Sequence, residues 1–137
     1  MGLYAMLRTC LLVLFLAACP AKSPRTPTSA APPISGTLAD APTHALGATL
    51  EVKPACNQDN YLKLAVPAGQ AFTVDAKVSA GSAMIGVLTK DGASVTSLES
   101  TVEKPALVEA RGQDTATYVT VSETGACVGN TVTLVLQ

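Results

Sequence analysis

The 137-residue chain has no tryptophan, two phenylalanines, three tyrosines and one histidine, His44. So few aromatic side chains leave a thin, aliphatic core for any folded domain. A lone His at the edge of a proline-rich stretch builds neither a Ser–His–acid triad nor a His-based metal cluster. Clustered positive charge is also missing. Lys53, Lys63, Lys77, Lys90, Lys104 and Arg111 stand singly among acids, and the formal net charge is −1. Binding of nucleic acid through a basic patch is thereby excluded, since it needs a concentrated positive face. No window carries a convincing helical period. No apolar run approaches the roughly 20 residues that span a bilayer as a helix.

What the N-terminus does have is a short apolar run. Arg8 precedes Leu11-Leu12-Val13-Leu14-Phe15-Leu16, and small residues follow at Ala17 and Ala18. A positive start, an apolar stretch and small residues near a cut are the parts of a secretory signal. Residues 1–18 are read as that signal. Leu16-Ala17-Ala18-Cys19 resembles the lipobox of bacterial lipoproteins. The resemblance implies that Cys19 carries a diacylglycerol and becomes the acylated first residue after cleavage. Several buried acyl chains anchor a protein stably, at about 0.8 kcal/mol per methylene. Pro20, where retention in the inner membrane would call for Asp, points to the outer membrane.

Residues 19–44 read as a lipidated cysteine followed by a disordered tether. The stretch holds Pro20, Pro24, Pro27, Pro32, Pro33 and Pro42, and lacks aromatics. It buries too little to offset its ordering entropy. Extended as polyproline II, it reaches about 75 Å.

From residue 45 the pattern changes to period two, the mark of half-buried strands. Leu50 and Val52 alternate with polar neighbours, then Leu62, Leu64 and Val66, then Phe72, Val74, Ala76 and Val78. Met84 to Leu88 is continuously apolar, as a central strand covered on both faces would be. Weaker candidates lie at Val95 to Leu98 and Leu107 to Ala110, and alternation returns at Thr117 to Ser122 and Thr131 to Leu136. About eight short strands over residues 45–137 predict an all-β, jelly-roll-like two-sheet sandwich.

Cys10 leaves with the signal and Cys19 takes the lipid, so Cys56 and Cys127 remain. In an oxidising compartment they predict one disulfide; two free buried thiols are the alternative. Cys56 follows the first of these strands and Cys127 precedes the last. The bridge would make those two strands antiparallel neighbours.

Asp59-Asn60-Tyr61 through Val66-Pro67-Ala68-Gly69-Gln70 to Phe72-Thr73-Val74 resembles the core signature of bacterial pre-peptidase C-terminal domains. Met84 to Leu88, Asp91-Gly92 and Thr131 to Leu136 extend the resemblance over about residues 46–137. It implies a non-catalytic β-sandwich, in a family usually appended to secreted enzymes, some of whose members bind polymers. Tyr61 and Tyr118 are the candidate ligand contacts. Some family members hold calcium, and Asn57, Asp59 and Asn60 lie together, but a polar turn accounts for such a cluster as well. No metal or cofactor is expected. The nine acids from Glu51 to Glu123 are assigned to solvent faces and turns.

These readings converge on a non-catalytic outer-membrane lipoprotein. It presents a small sandwich as a binding or accessory module of an envelope assembly serving adhesion, motility or secretion. It is anchored in the membrane through Cys19 and has an envelope protein as partner. A stand-alone carbohydrate- or peptide-binding module is one alternative. A periplasmic spacer or chaperone for an outer-membrane protein is another.

Overall fold

Apolar residues in alternation build nine strands in the computed structural model, which describes residues 32–137. The signal, Cys19 and the first half of the expected tether lie outside the described residues. In chain order the strands are β1 (Thr43–Ala45), β2 (Thr49–Val52), β3 (Asn60–Ala65), β4 (Ala71–Val78) and β5 (Ser82–Thr89). They continue with β6 (Ser94–Thr101), β7 (Ala106–Arg111), β8 (Thr117–Thr124) and β9 (Val132–Leu136). A five-stranded sheet has the order β1-β3-β8-β5-β6, and a four-stranded sheet the order β2-β9-β4-β7. The all-β sandwich read from the sequence is the fold of these residues.

The core is the set of inward positions of both sheets. Leu62, Leu64, Ile85, Val87, Val119 and Val121 face it from one side, and Val52, Phe72, Val74, Val108, Leu134 and Leu136 from the other. All are buried, and Phe72 is the single aromatic among them. With small aliphatic side chains, the sheets are held by close packing over many weak contacts rather than by a few large groups.

The domain begins earlier than residue 45. Residues 32–137 form one compact unit, which corrects the boundary drawn from proline content. Ile34 is buried in the core cluster. Ser35 and Tyr61 exchange backbone hydrogen bonds of 2.9 and 2.7 Å, and Lys63 N–H donates to Pro42 O at 2.8 Å. The arm thus covers the outer edge of β3, and β1 then pairs parallel with it from Thr43 to Ala45. Prolines sit well on an edge, where no donor is required of them. His44, placed beside the linker by the sequence, stands on β1.

Two further expectations are corrected. The run Met84 to Leu88 is not covered on both faces: Met84 is 37% exposed. Only Ala83, Ile85 and Val87 turn into the core. Gly86 is buried on the opposite face because its neighbours close over it, and a Cβ there would fall 2.7 Å from Thr120 Oγ1. The acids do not all face solvent either, since Glu123 is 3% exposed.

Most connections cross between the sheets, and at one end two crossings dock on each other. Val66-Pro67-Ala68-Gly69-Gln70 carries the chain from β3 to β4 through a turn closed by Gln70 N–H to Pro67 O, 3.1 Å. Gly69 has φ +77°, the positive value a type II turn needs at its third residue. Gly69 N–H donates to Gly112 O at 2.8 Å, and Gly112 N–H to Gln70 O at 2.9 Å. The motif most legible in the sequence is therefore the latch between the β3–β4 and β7–β8 crossings.

At the other end Cys56 and Cys127 are joined, with Cα atoms 5.6 Å apart and a sequence separation of 71. As their positions predict, β2 and β9 are antiparallel neighbours, with Val52 opposite Val132.

Two stability outcomes follow from these ends. Replacing Cys56 and Cys127 by Ser should cost about 2–5 kcal/mol in the chain-entropy account. Thermal melting should read this as a loss on the order of 10–25 °C. Gly112→Ala should cost more than about 1 kcal/mol, since its methyl would collide with the Pro67 carbonyl. Gly36→Ala, with open space around it, should cost little in the same chemical denaturation series.

Candidate functional site

Tyr61 and Tyr118, the tyrosines singled out in the sequence, lie on the outer face of the five-stranded sheet. Tyr61 is opposite Thr120 and Tyr118 opposite Lys63, so the two rings occupy diagonal positions on neighbouring strands. Such positions are about 7–8 Å apart, within reach of aromatic side chains. Both are half-buried. Ser35 pairs with Tyr61, and Leu38 reaches as far as the β5–β6 turn, 3.9 Å from where a Gly92 Cβ would be. The arm of residues 32–42 accordingly shares this face with the tyrosines.

The outer face of the four-stranded sheet carries a groove of about 560 Å³. Thr73 is opposite Glu109, and Ala71 opposite Arg111. The short Ala71 side chain leaves the hollow, and Gln137 closes one side. Arg111 Nη1–H donates to Gly69 O at 2.9 Å, which fixes the guanidinium over the β3–β4 turn. A carboxylate, a guanidinium, a hydroxyl and an amide thus line one concavity, a set of groups suited to hydrogen-bonding a polar ligand. Sequence reading missed this groove. Its signal was present in the alternation of Leu107, Glu109 and Arg111 on one face of β7, but the facing strand was not.

The disulfide end is polar and densely bonded. Glu123 Oε1 accepts from Val128 N–H at 3.0 Å and from Asn130 N–H at 3.2 Å. Its backbone carbonyl accepts from Asn57 N–H at 3.1 Å. Asn130 is buried, and its Oδ1 accepts from Ser79 N–H at 3.2 Å. Three connections, 53–59, 79–81 and 125–131, are stitched together by these groups and the disulfide. Of the Asn–Asp cluster, Asn57 takes a left-handed conformation, φ 51°. Asp59 Oδ1 accepts from Ser122 Oγ–H at 2.7 Å, and Asn60 Nδ2 donates to Gln58 O and Val121 O. Asp59 and Asn60 are engaged in holding the turn against β8. Among the described residues no three of His, Cys, Asp and Glu gather as a metal site. His44 Nε2–H donates to Pro33 O at 2.8 Å and so pins the arm.

The class defined by this architecture is a two-sheet β-sandwich with an N-terminal arm on one edge. Within that class, the chain shares its fold with the pre-peptidase C-terminal domain of collagenase from Bacillus anthracis. The two superpose with a TM-score of 0.55 at 10% identity, over 72% of this chain and 95% of that domain. No family model matches the sequence, and no curated protein matches it.

Glu123→Ala would leave two loop N–H groups without their acceptor. It should cost about 1–3 kcal/mol in equilibrium denaturation. Glu123→Gln keeps an acceptor oxygen and should lose distinctly less.

Proposed function

We propose that this chain is a non-catalytic, lipid-anchored envelope protein that presents its sandwich as a binding or accessory module. The observation that carries the non-catalytic reading is where the reactive groups are spent. The one His is tied to Pro33 O, the buried Glu123 carboxylate to two backbone N–H groups, and Asp59 to Ser122. A general base or metal ligand needs a free lone pair beside a substrate. Glu123 and Asp59 direct theirs into the fold, and His44 uses its Nε2–H to hold the arm. The fold shared with a pre-peptidase C-terminal domain of a collagenase supports an accessory role.

The anchor rests on Leu16-Ala17-Ala18-Cys19 and the proline-rich stretch behind it. The outer membrane is the proposed location, on Pro20. In this reading the partner is a protein of an envelope assembly. The groove at Thr73, Glu109 and Arg111 favours a second reading, a module that binds a carbohydrate or peptide directly.

Metabolic labelling with a tagged fatty acid tests the anchor. The wild-type chain should carry label and fractionate with membranes, and Cys19→Ser should lose both properties. Label retained by Cys19→Ser would refute the assignment. Capture from detergent-solubilised envelopes should recover an envelope protein with the wild type. Glu109→Ala/Arg111→Ala should weaken that capture only if the groove is the contact.

A further inference from the structure

The sandwich has four edge strands, and three are blunted. β1 is only three residues long and continues the proline-containing arm of residues 32–42. β2 has four residues and runs into Lys53 and Pro54. β7 starts behind Pro105 and ends on Glu109 and Arg111. Short length, proline and charge are the usual protections of an edge. β6 has none of these except Glu99, although it runs eight residues, Ser94–Thr101.

Its open hydrogen bonds can be placed. Tyr61 and Lys63 turn their N–H groups to the outer edge of β3, toward Ser35 and Pro42. Strand by strand across β8 and β5, the alternation of antiparallel pairing then gives Val87–Thr96, Ile85–Leu98 and Ala83–Ser100 as the hydrogen-bonded pairs. Ser97 and Glu99 therefore point their N–H and C=O groups away from the sheet. Thr101 shares that parity, and its N–H indeed turns outward, to Lys104 O at 3.0 Å.

Leu98 is the second sign. It is opposite Ile85 and so on the inner face, yet it is 46% exposed while Ile85 is fully buried. The sandwich closes beside it at Ser100, whose Oγ–H donates to Ala76 O at 2.7 Å across to the other sheet. Leu98 itself is left nearly half open to solvent. Val95, Val102 and Leu107 are also exposed along this side, and Met84 is the neighbour of Glu99.

We infer that β6 is a self-pairing edge: a second copy of this chain adds its β6 antiparallel about a two-fold axis at Leu98. The register follows from the open groups. Ser97 and Glu99 of one copy meet Glu99 and Ser97 of the other as two hydrogen-bonded pairs, giving four backbone hydrogen bonds. Leu98 meets Leu98 between them, in the closer, non-hydrogen-bonded position. The exposed leucine becomes buried, and each carboxylate faces a serine. An axis at Glu99 would instead set two carboxylates opposite each other, which is destabilising. Charge and pattern thus favour a second copy in one register. The contact is at the small end of protein interfaces, below about 1,200 Å², so it is best read by trapping.

Cysteine trapping of the full chain in expressing cells, read on non-reducing gels, is the test. Opposed Cα atoms at a non-hydrogen-bonded pair fall within the range a disulfide spans. Leu98→Cys should give a thiol-reversible band at twice the chain mass, at least tenfold above Thr49→Cys on the β2 edge. Adding Ser97→Pro removes an outward N–H without touching the ladder to β5, and should abolish that band. Independently of proline, Ser97→Cys and Glu99→Cys copies expressed together should cross-link, and each alone should not. A Leu98→Cys yield no greater than that of Thr49→Cys would overturn the proposal. So would a cross-linked band of any other mass, which would mean that a different protein occupies the edge.

Discussion

Everything in this domain depends on holding two sheets together over a core that has little to bury. Phe72 is its one buried aromatic, and the rest is Val, Leu, Ile and Ala. The area term of such side chains is real, at about 25 cal/mol per Å². In a small domain it is nearly matched by conformational entropy. The ends of the sandwich therefore carry more weight than they would over a larger core. One end is closed by the docking of the Gly69 turn on Gly112. The other is closed by Cys56–Cys127, the Glu123 carboxylate and the Ser79–Asn130 contact. The covalent link acts on the unfolded chain, and the polar contacts act on the folded one. The link joins the 53–59 and 125–131 connections, and the Ser79–Asn130 contact adds 79–81.

This division explains where the reactive side chains went. A carboxylate buried under a loop satisfies backbone donors that would otherwise be unpaired. A histidine on an edge strand fixes the arm that covers the edge. The groove lined by Thr73, Glu109 and Arg111, the half-buried tyrosine pair and the β6 edge lie outside these contacts.

The strands were legible because period two survives in this sequence. Leu62/Leu64, Phe72/Val74/Ala76 and Leu134/Leu136 each announce a face, and each is buried as that face predicts. The neighbourhood of β2 and β9 was legible too, because a cysteine just after one strand and just before the other fixes their relation. The start of the domain was not legible. Its arm is rich in proline and adds one strand of three residues, and it is ordered by contacts with β3 that no local pattern announces. Glu123 read as a solvated acid because its position on β8 continues the inward face of Val119 and Val121, a parity that a charge makes easy to overlook. The groove was hidden because it is made by residues from β4 and β7, which the register alone brings together. Tyr61 and Tyr118 stand out in the sequence by their rarity, and only the pairing of β3 with β8 sets them on one face.

The disulfide end holds the whole sandwich rather than only its own loops, and native-state amide hydrogen exchange on the oxidised and reduced protein reads this strand by strand. If the link acts on the unfolded chain, reduction lowers protection by the same factor in the slowest amides of every strand, from Leu62 and Val119 in one sheet to Val74 and Leu134 in the other. Protection lost only in residues 53–59 and 125–131, with the strand amides unchanged, would contradict it.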